Sequence, residues 1–158
     1  MTNPIYFDRI YPNLPIADPA NQAVRNDFAA TFTQKWPDST LSQSGYGSDD
    51  LAAMLVTSQY LQRLALRHGE DVGPCLNGQA ANQINVAKTH FITSMQLAGD
   101  EKAALRAIRI WRGRTALIVA LSDLAGREDM TQQMKWLSEA AQTVLSATIQ
   151  YLFRQTAQ

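Results

Sequence analysis

The sequence predicts an all-α protein, a bundle of about five or six helices. Three observations predict it. Apolar residues recur at three- and four-residue spacing along most of the chain, and Asp, Ser, Gly and Pro stand where helices would begin and end. The apolar/polar alternation of a half-buried strand never lasts more than four residues.

Residues 1–17 place Pro4, Pro12 and Pro15 among Tyr6, Phe7 and Tyr11. Proline lacks the backbone donor a helix needs, so this stretch reads as an extended arm whose aromatics dock on the protein's own core. The rest, 18–158, reads as one helical domain. Asp18-Pro19 opens its first helix, with an N-cap acceptor before a proline at the first helical position. Val24, Phe28 and Phe32 follow on one face, and Pro37 ends the helix. Residues 37–48, rich in Ser, Gly and Asp, read as a loop.

Ser48-Asp49-Asp50 starts the next helix, with Leu51, Met54 and Leu55 as its apolar face. Ser58 caps a short helix carrying Tyr60, Leu61, Leu64 and Ala65, Gly69 fits a left-handed C-cap, and Gly73-Pro74 reads as a break. Residues 77–98 follow as a helix with a weak apolar face of Ala81, Ile84, Val86, Phe91 and Met95, closed by Gly99.

The segment from Asp100 to Ala125 is the best-defined helix. Ala104, Ile108, Trp111, Thr115 and Ile118 share a face, and Lys102, Arg106 and Arg109 lie roughly 180° away. Past Thr115 it is apolar nearly all round, which places it centrally. Gly126 stops it, and Asp129 or Thr131 caps the last helix, which runs to about Arg154. Met134, Leu137, Ala141, Val144, Leu145, Thr148, Tyr151 and Leu152 form the expected core stripe of that helix. The short link at 126–130 makes the last two helices antiparallel neighbours. Trp111, Ile118, Leu121, Leu137 and Leu145 are the expected core anchors.

Composition narrows the function classes. The formal net charge is zero, whereas nucleic-acid binders draw most of their affinity from a basic excess. Charge is uneven, however: residues 1–100 carry six Lys/Arg against nine Asp/Glu, and residues 101–158 carry eight against five. The longest uninterrupted apolar run, Ala116 to Leu121, is far short of the ~20 residues of a membrane span. The single cysteine, Cys75, allows no intrachain disulfide, and no basic stretch followed by an apolar one opens the chain. A cytoplasmic protein with no membrane and no nucleic-acid partner is the expectation.

No catalytic or metal-ligating set emerges. His68 and His90 lie far apart in the sequence, and no Cys or carboxylate is read at a ligand spacing from them. Surface or capping roles are expected for both. Cys75 reads as a half-buried loop thiol with no histidine partner. Gly47-Ser48-Asp49-Asp50 has the residue types of a nucleotidyltransferase site, in which Gly-Ser holds phosphate and Asp-x-Asp on a strand holds Mg²⁺. Here the aspartates directly follow the serine, where acids favour a helix N-terminus, so a helix cap is expected. The strongest charge feature is Lys102, Arg106, Arg109, Arg112 and Arg114, a run of five cations with no acid among them. It reads as a solvated face, or as a contact surface for an acidic partner or domain. A DNA-binding regulator is the third reading, disfavoured because a helix-turn-helix needs a short basic recognition helix, whereas this helix is long and apolar at its far end.

Ala104-Leu105-Arg106, running into Ala116-Leu117-Ile118-Val119-Ala120-Leu121-Ser122-Asp123-Leu124-Ala125-Gly126, resembles a segment of the bifunctional glutamine synthetase adenylyltransferase family. There an arginine-rich helix start leads into an apolar stretch closing on Asp-Leu-x-Gly, then into a helix of the form Leu-Ser-x-x-Ala-x-x-x-Leu. Leu137-Ser138-Glu139-Ala140-Ala141 with Val144-Leu145 is similar to that helix. Upstream, Asp50-Leu51-Ala52 and Ser58-Gln59-Tyr60-Leu61-Gln62-Arg63-Leu64 with Arg67-His68 resemble a second family segment. Gln59 and Gly69 stand where relatives carry proline, and Thr115 where many carry Glu or an apolar residue. The resemblance covers about residues 48–153.

This resemblance implies a non-catalytic helical N-terminal part, a fragment or truncated relative that precedes a nucleotidyltransferase domain bearing the Gly-Ser and Asp-x-Asp motif. The family moves AMP from ATP to a tyrosine of glutamine synthetase and removes it by phosphorolysis, its N-terminal half being associated with removal. No catalytic residue of the family maps onto this sequence. The resemblance therefore implies no cofactor on this chain, with ATP and Mg²⁺ belonging to the catalytic domain. The implied partners are the adjacent nucleotidyltransferase domain, glutamine synthetase and the regulatory PII protein. The basic set would be the interdomain or partner-contact surface. The rival reading is a stand-alone helical adaptor, which would not expose a large apolar patch at Tyr151, Leu152 and Phe153.

Overall fold

The protein is described by a computed structural model covering residues 19–37 and 40–157. The expected N-terminal arm, 1–17, lies outside the described residues. Among the described residues the fold is all-α, with seven α-helices and no strand, one or two helices more than the periodicity predicts. The chain divides into two compact units, Met1–Asn77 and Gly78–Gln158.

In the first unit, helix α1 (Pro19–Lys35) packs on α2 (Ser48–Leu55) and α3 (Gln59–Arg67). Phe28 and Phe32 are buried with ring centroids 6.0 Å apart, whereas Val24, expected beside them, is exposed. The stretch expected to be loop holds a 3-10 turn, Thr40–Ser44, which packs on α4 (Gly69–Leu76) with Leu41 and Ser44 buried. Ser58 caps α3 as expected, its hydroxyl accepting from the Leu61 N–H. The buried Gln62 side chain donates to the Leu55 carbonyl at the end of α2, which also accepts from the Ser58 N–H. Tyr60 points outward instead of joining Leu64 and Ala65 in the core.

Two glycine expectations are corrected here. Gly69 is not in the left-handed region; it is the first residue of α4. Its need for glycine is steric, because a Cβ there would run into the Trp36 indole. Trp36 is itself held by an indole N–H donating to the Leu66 carbonyl at 3.1 Å. Gly73-Pro74 does not break the chain but lies inside α4. Steric conflict with the residue before a proline involves that residue's Cβ, and Gly73 has none. Pro74 has no N–H to offer the Glu70 carbonyl, and Glu70 is an exposed residue.

The second unit is three helices: α5 (Ala80–Leu97), α6 (Glu101–Leu124) and α7 (Met130–Thr156), each packed against both others. Asp100 caps α6 by accepting from Ala103 N–H at 2.7 Å, and Asp129 caps α7 by accepting from Gln132 N–H at 2.8 Å. Gly126 ends α6 with φ 59°. The Arg127 N–H reaches the Ser122 carbonyl and the Gly126 N–H reaches that of Asp123, a paired closure that requires the left-handed residue between them. Helices α6 and α7 run antiparallel across this short link. Arg154, near the end of α7, donates to the Met95 carbonyl near the end of α5, so α5 and α7 run parallel.

The core of this unit centres on Trp111. Its ring stacks on Phe91 with centroids 5.6 Å apart, and its indole N–H donates to the Ala140 carbonyl at 3.3 Å, so one side chain of α6 touches both neighbours. The buried line of α5 is Ala80, Ile84, Ala87, Phe91 and Met95; Ala81 and Val86, expected to be part of it, are exposed. Leu117, Ile118 and Leu121 are fully buried, which fits the central placement of α6, while Ile108 is half-buried.

Helix α7 departs most from expectation. Its buried residues are Trp136, Ala147 and Tyr151. Of the stripe expected to be core, Met134, Leu137, Ala141, Leu145 and Leu152 are exposed, Leu137 at 43% and Leu145 at 65%. Both lines recur at helical spacing. The line carrying Trp136, Ala147 and Tyr151 is turned inward, while Phe153, the third ring of this helix, is 71% exposed.

Candidate functional site

The basic set resolves into two parts. Lys102, Arg106, Arg109 and Arg112 are exposed along α6, spanning roughly a third of its circumference. Arg114 is not on that face. It is buried toward α5, beside Ala87, His90 and Phe91, and it is engaged within the chain.

Nothing in the fold explains why the four exposed cations should stand together. Among the described residues none of them is in an ion pair. Lys102–Arg106, Arg106–Arg109 and Arg109–Arg112 are like-charged neighbours at three- and four-residue spacing, each pair costing the helix about 0.2–0.5 kcal/mol. Lys102 also lies in the first turn, where the helix dipole disfavours a cation by about 0.3–1 kcal/mol. The face is therefore a small electrostatic liability to the isolated helix, and an acidic surface laid against it would relieve that liability.

The polar residues elsewhere are engaged in structure. Asp49 and Asp50 lie in the first turn of α2, and Asp50 Oδ2 accepts from the Gly47 N–H at 2.7 Å, so the motif serves as a helix cap. Among the described residues there is no strand to carry an Asp-x-Asp pair. Gly47-Ser48-Asp49-Asp50 therefore differs from the motif in which a strand-borne Asp-x-Asp holds Mg²⁺. Cys75 is fully buried inside α4, not half-buried in a loop.

The structure corrects the expectation that His68 has no carboxylates at a ligand spacing. Its ring and the carboxylates of Glu70 and Asp71 bring one ligand atom each within 4.8 Å of one another, with Nδ1 3.9 Å from Glu70 Oε1. The ligand spacing is visible as His-Gly-Glu-Asp, and the tight α3–α4 junction closes it. Both acids belong to the first turn of α4, where they favour the dipole, and both are engaged within the chain. His90 is exposed on α5. A groove of about 510 Å³ lies between α5 and α7, lined by Lys88, Ile92, Gln96, Glu139, Thr143 and Arg154 among others.

These features define an all-α protein with capped helices, a bare basic face on α6 and no assembled catalytic set among the described residues. The family model described as glutamate-ammonia ligase adenylyltransferase matches residues 48–158. The chain belongs to that family. No curated protein and no solved structure matches it significantly. The matched region takes in α2 to α4 of the first unit and the whole of the second, including the basic face. Among the described residues no helix is long and apolar enough to cross a membrane.

Proposed function

We propose that this chain is a non-catalytic helical part of a glutamine synthetase adenylyltransferase, acting in the cytoplasm as a scaffold that docks a protein partner through Lys102, Arg106, Arg109 and Arg112. The favoured partner is the nucleotidyltransferase domain that performs AMP transfer in this family, with glutamine synthetase and PII as further contacts. In this reading ATP and Mg²⁺ belong to that domain. The observation that carries the proposal is the row of four exposed cations, each with a like-charged helical neighbour and none in an ion pair among the described residues.

Arg106→Glu with Arg109→Glu tests it. Both side chains are exposed, so the helices should form as before, with an unchanged far-UV circular dichroism spectrum. Retention of the family's nucleotidyltransferase domain or of glutamine synthetase on immobilised protein should fall at least tenfold. Unchanged retention would remove the basic face from the account. Salt-dependent DNA binding of the native protein, lost in the variant, would transfer the face to nucleic acid instead.

A further inference from the structure

Helix α7 buries one apolar line and leaves a second exposed, with Ile149 and Phe153 also exposed to one side of it. Met130, Met134, Leu137, Leu145 and Leu152 are exposed, and Ala141 and Thr148 complete their line. The line has an internal order. Met130, Ala141 and Leu152 are eleven residues apart, as are Met134 and Leu145, and Leu137 and Thr148. An eleven-residue repeat advances about 3.67 residues per turn. That is close to the pitch of a straight helix, so the stripe stays on one side of α7 for ~33 Å.

The stripe is also symmetrical about Ala141. Turned end for end, Leu137 falls on Leu145, Met134 on Thr148 and Met130 on Leu152, while Ala141, the smallest, falls on itself. The charges of α7 keep clear of it. Glu139 and Arg154 line the groove against α5, and Lys135 lies roughly 100° or more round the helix from the stripe's centre.

A two-fold interface must be self-complementary, residue i meeting j while j meets i. This stripe has that property. We propose that α7 pairs antiparallel with α7 of a second copy of this chain, across a two-fold axis passing beside Ala141. The small side chain at the axis allows close approach, and no like charges meet along the contact. The stripe measures ~33 Å by ~10 Å, comparable to the largest apolar patch on a typical monomer, ~300–600 Å². That is less than the ~800 Å² per partner of a standard stable interface, so the dimer is a weak one that dissociates on dilution. The contact uses none of the α6 cations, and it stands or falls independently of the proposed docking role.

Sedimentation equilibrium on the full chain, from hundreds of micromolar down to below one micromolar, reads it directly. The mass should rise with concentration from 17.5 kDa towards twice that value. Leu145→Glu, at a mostly exposed position, should stay monomeric throughout with an unchanged circular dichroism spectrum. Ala141→Cys should form a covalent dimer on mild oxidation, whereas Ser146→Cys, facing the α5 groove, should not; the buried Cys75 does not compete. The monomer mass at every concentration would overturn the proposal and assign the stripe to a different protein. Survival of the dimer in Leu145→Glu, or cross-linking of Ala141→Cys no faster than Ser146→Cys, would overturn it equally.

Discussion

Replacing Trp111 tests how the second unit is held together. Trp111 is 2% exposed, stacks on Phe91 of α5 and donates to the Ala140 carbonyl of α7, so its removal opens a cavity where all three helices meet. Trp→Ala truncations in cores cost about 3–5 kcal/mol, a large share of the ~5–15 kcal/mol that stabilises a typical domain. Trp111→Phe keeps an aromatic face against Phe91 and loses the hydrogen bond, worth about 0.5–1.5 kcal/mol, together with some packing. Phe91→Ala, combined with Trp111→Ala in a double-mutant cycle, should show a coupling of about 0.5–1.5 kcal/mol for the ring pair. Urea unfolding followed by far-UV circular dichroism provides the readout. With a slope of ~1–3 kcal/mol per molar, the alanine variant should unfold roughly 1–3 M earlier, and the phenylalanine variant at less than half that shift. A Trp111→Ala midpoint indistinguishable from the native one would refute the central role given to this side chain.

Leu121 and Leu145 should behave oppositely although both are leucines on long helices. Leu121→Ala removes a fully buried side chain and should cost about 2–5 kcal/mol, whereas Leu145→Ala, at a position 65% exposed, should cost under ~1 kcal/mol by thermal melting of dilute protein. Gly69→Ala has two opposing effects. Helix propensity favours alanine by up to ~1 kcal/mol, but the new Cβ collides with Trp36, and overpacking costs ~1–3 kcal/mol, so net destabilisation is expected in a chemical melt. A more stable Gly69→Ala variant would show that the indole can move aside. Asp129→Ala should cost about 0.5–2 kcal/mol through loss of the α7 cap, and Asp129→Asn should restore most of it.

Much of the fold is legible in the sequence because local chemistry dictates it. Ser58, Asp100, Asp129 and Gly126 each satisfy or close a helix end by short-range bonds that any correct tertiary structure would keep. The departures share a different cause. Periodicity reveals that a helix has an apolar face but not which neighbour covers it, and α7 has two such faces. Of the expected stripe only Tyr151 is buried, and it is joined in the core by Trp136 and Ala147, which the spacing does not single out. Gly69 and Gly73-Pro74 mislead because their roles depend on Trp36, remote in the sequence, and on the absence of a Cβ before Pro74. On the candidate site, the exposure of Lys102, Arg106 and Arg109 follows from their spacing opposite Trp111 and Ile118. The burial of Arg114, which the sequence groups with them, depends on α5 covering that side of the helix.

Docking of the family's catalytic domain on the α6 basic face is open to isothermal titration of the native chain with that domain, at low and at near-physiological salt. Saturable binding is expected that weakens as salt rises, because exposed charges are screened over ~8–10 Å, and that disappears when Arg106 and Arg109 are reversed. Absence of binding at low salt, or binding equally strong in the charge-reversed variant, would contradict it.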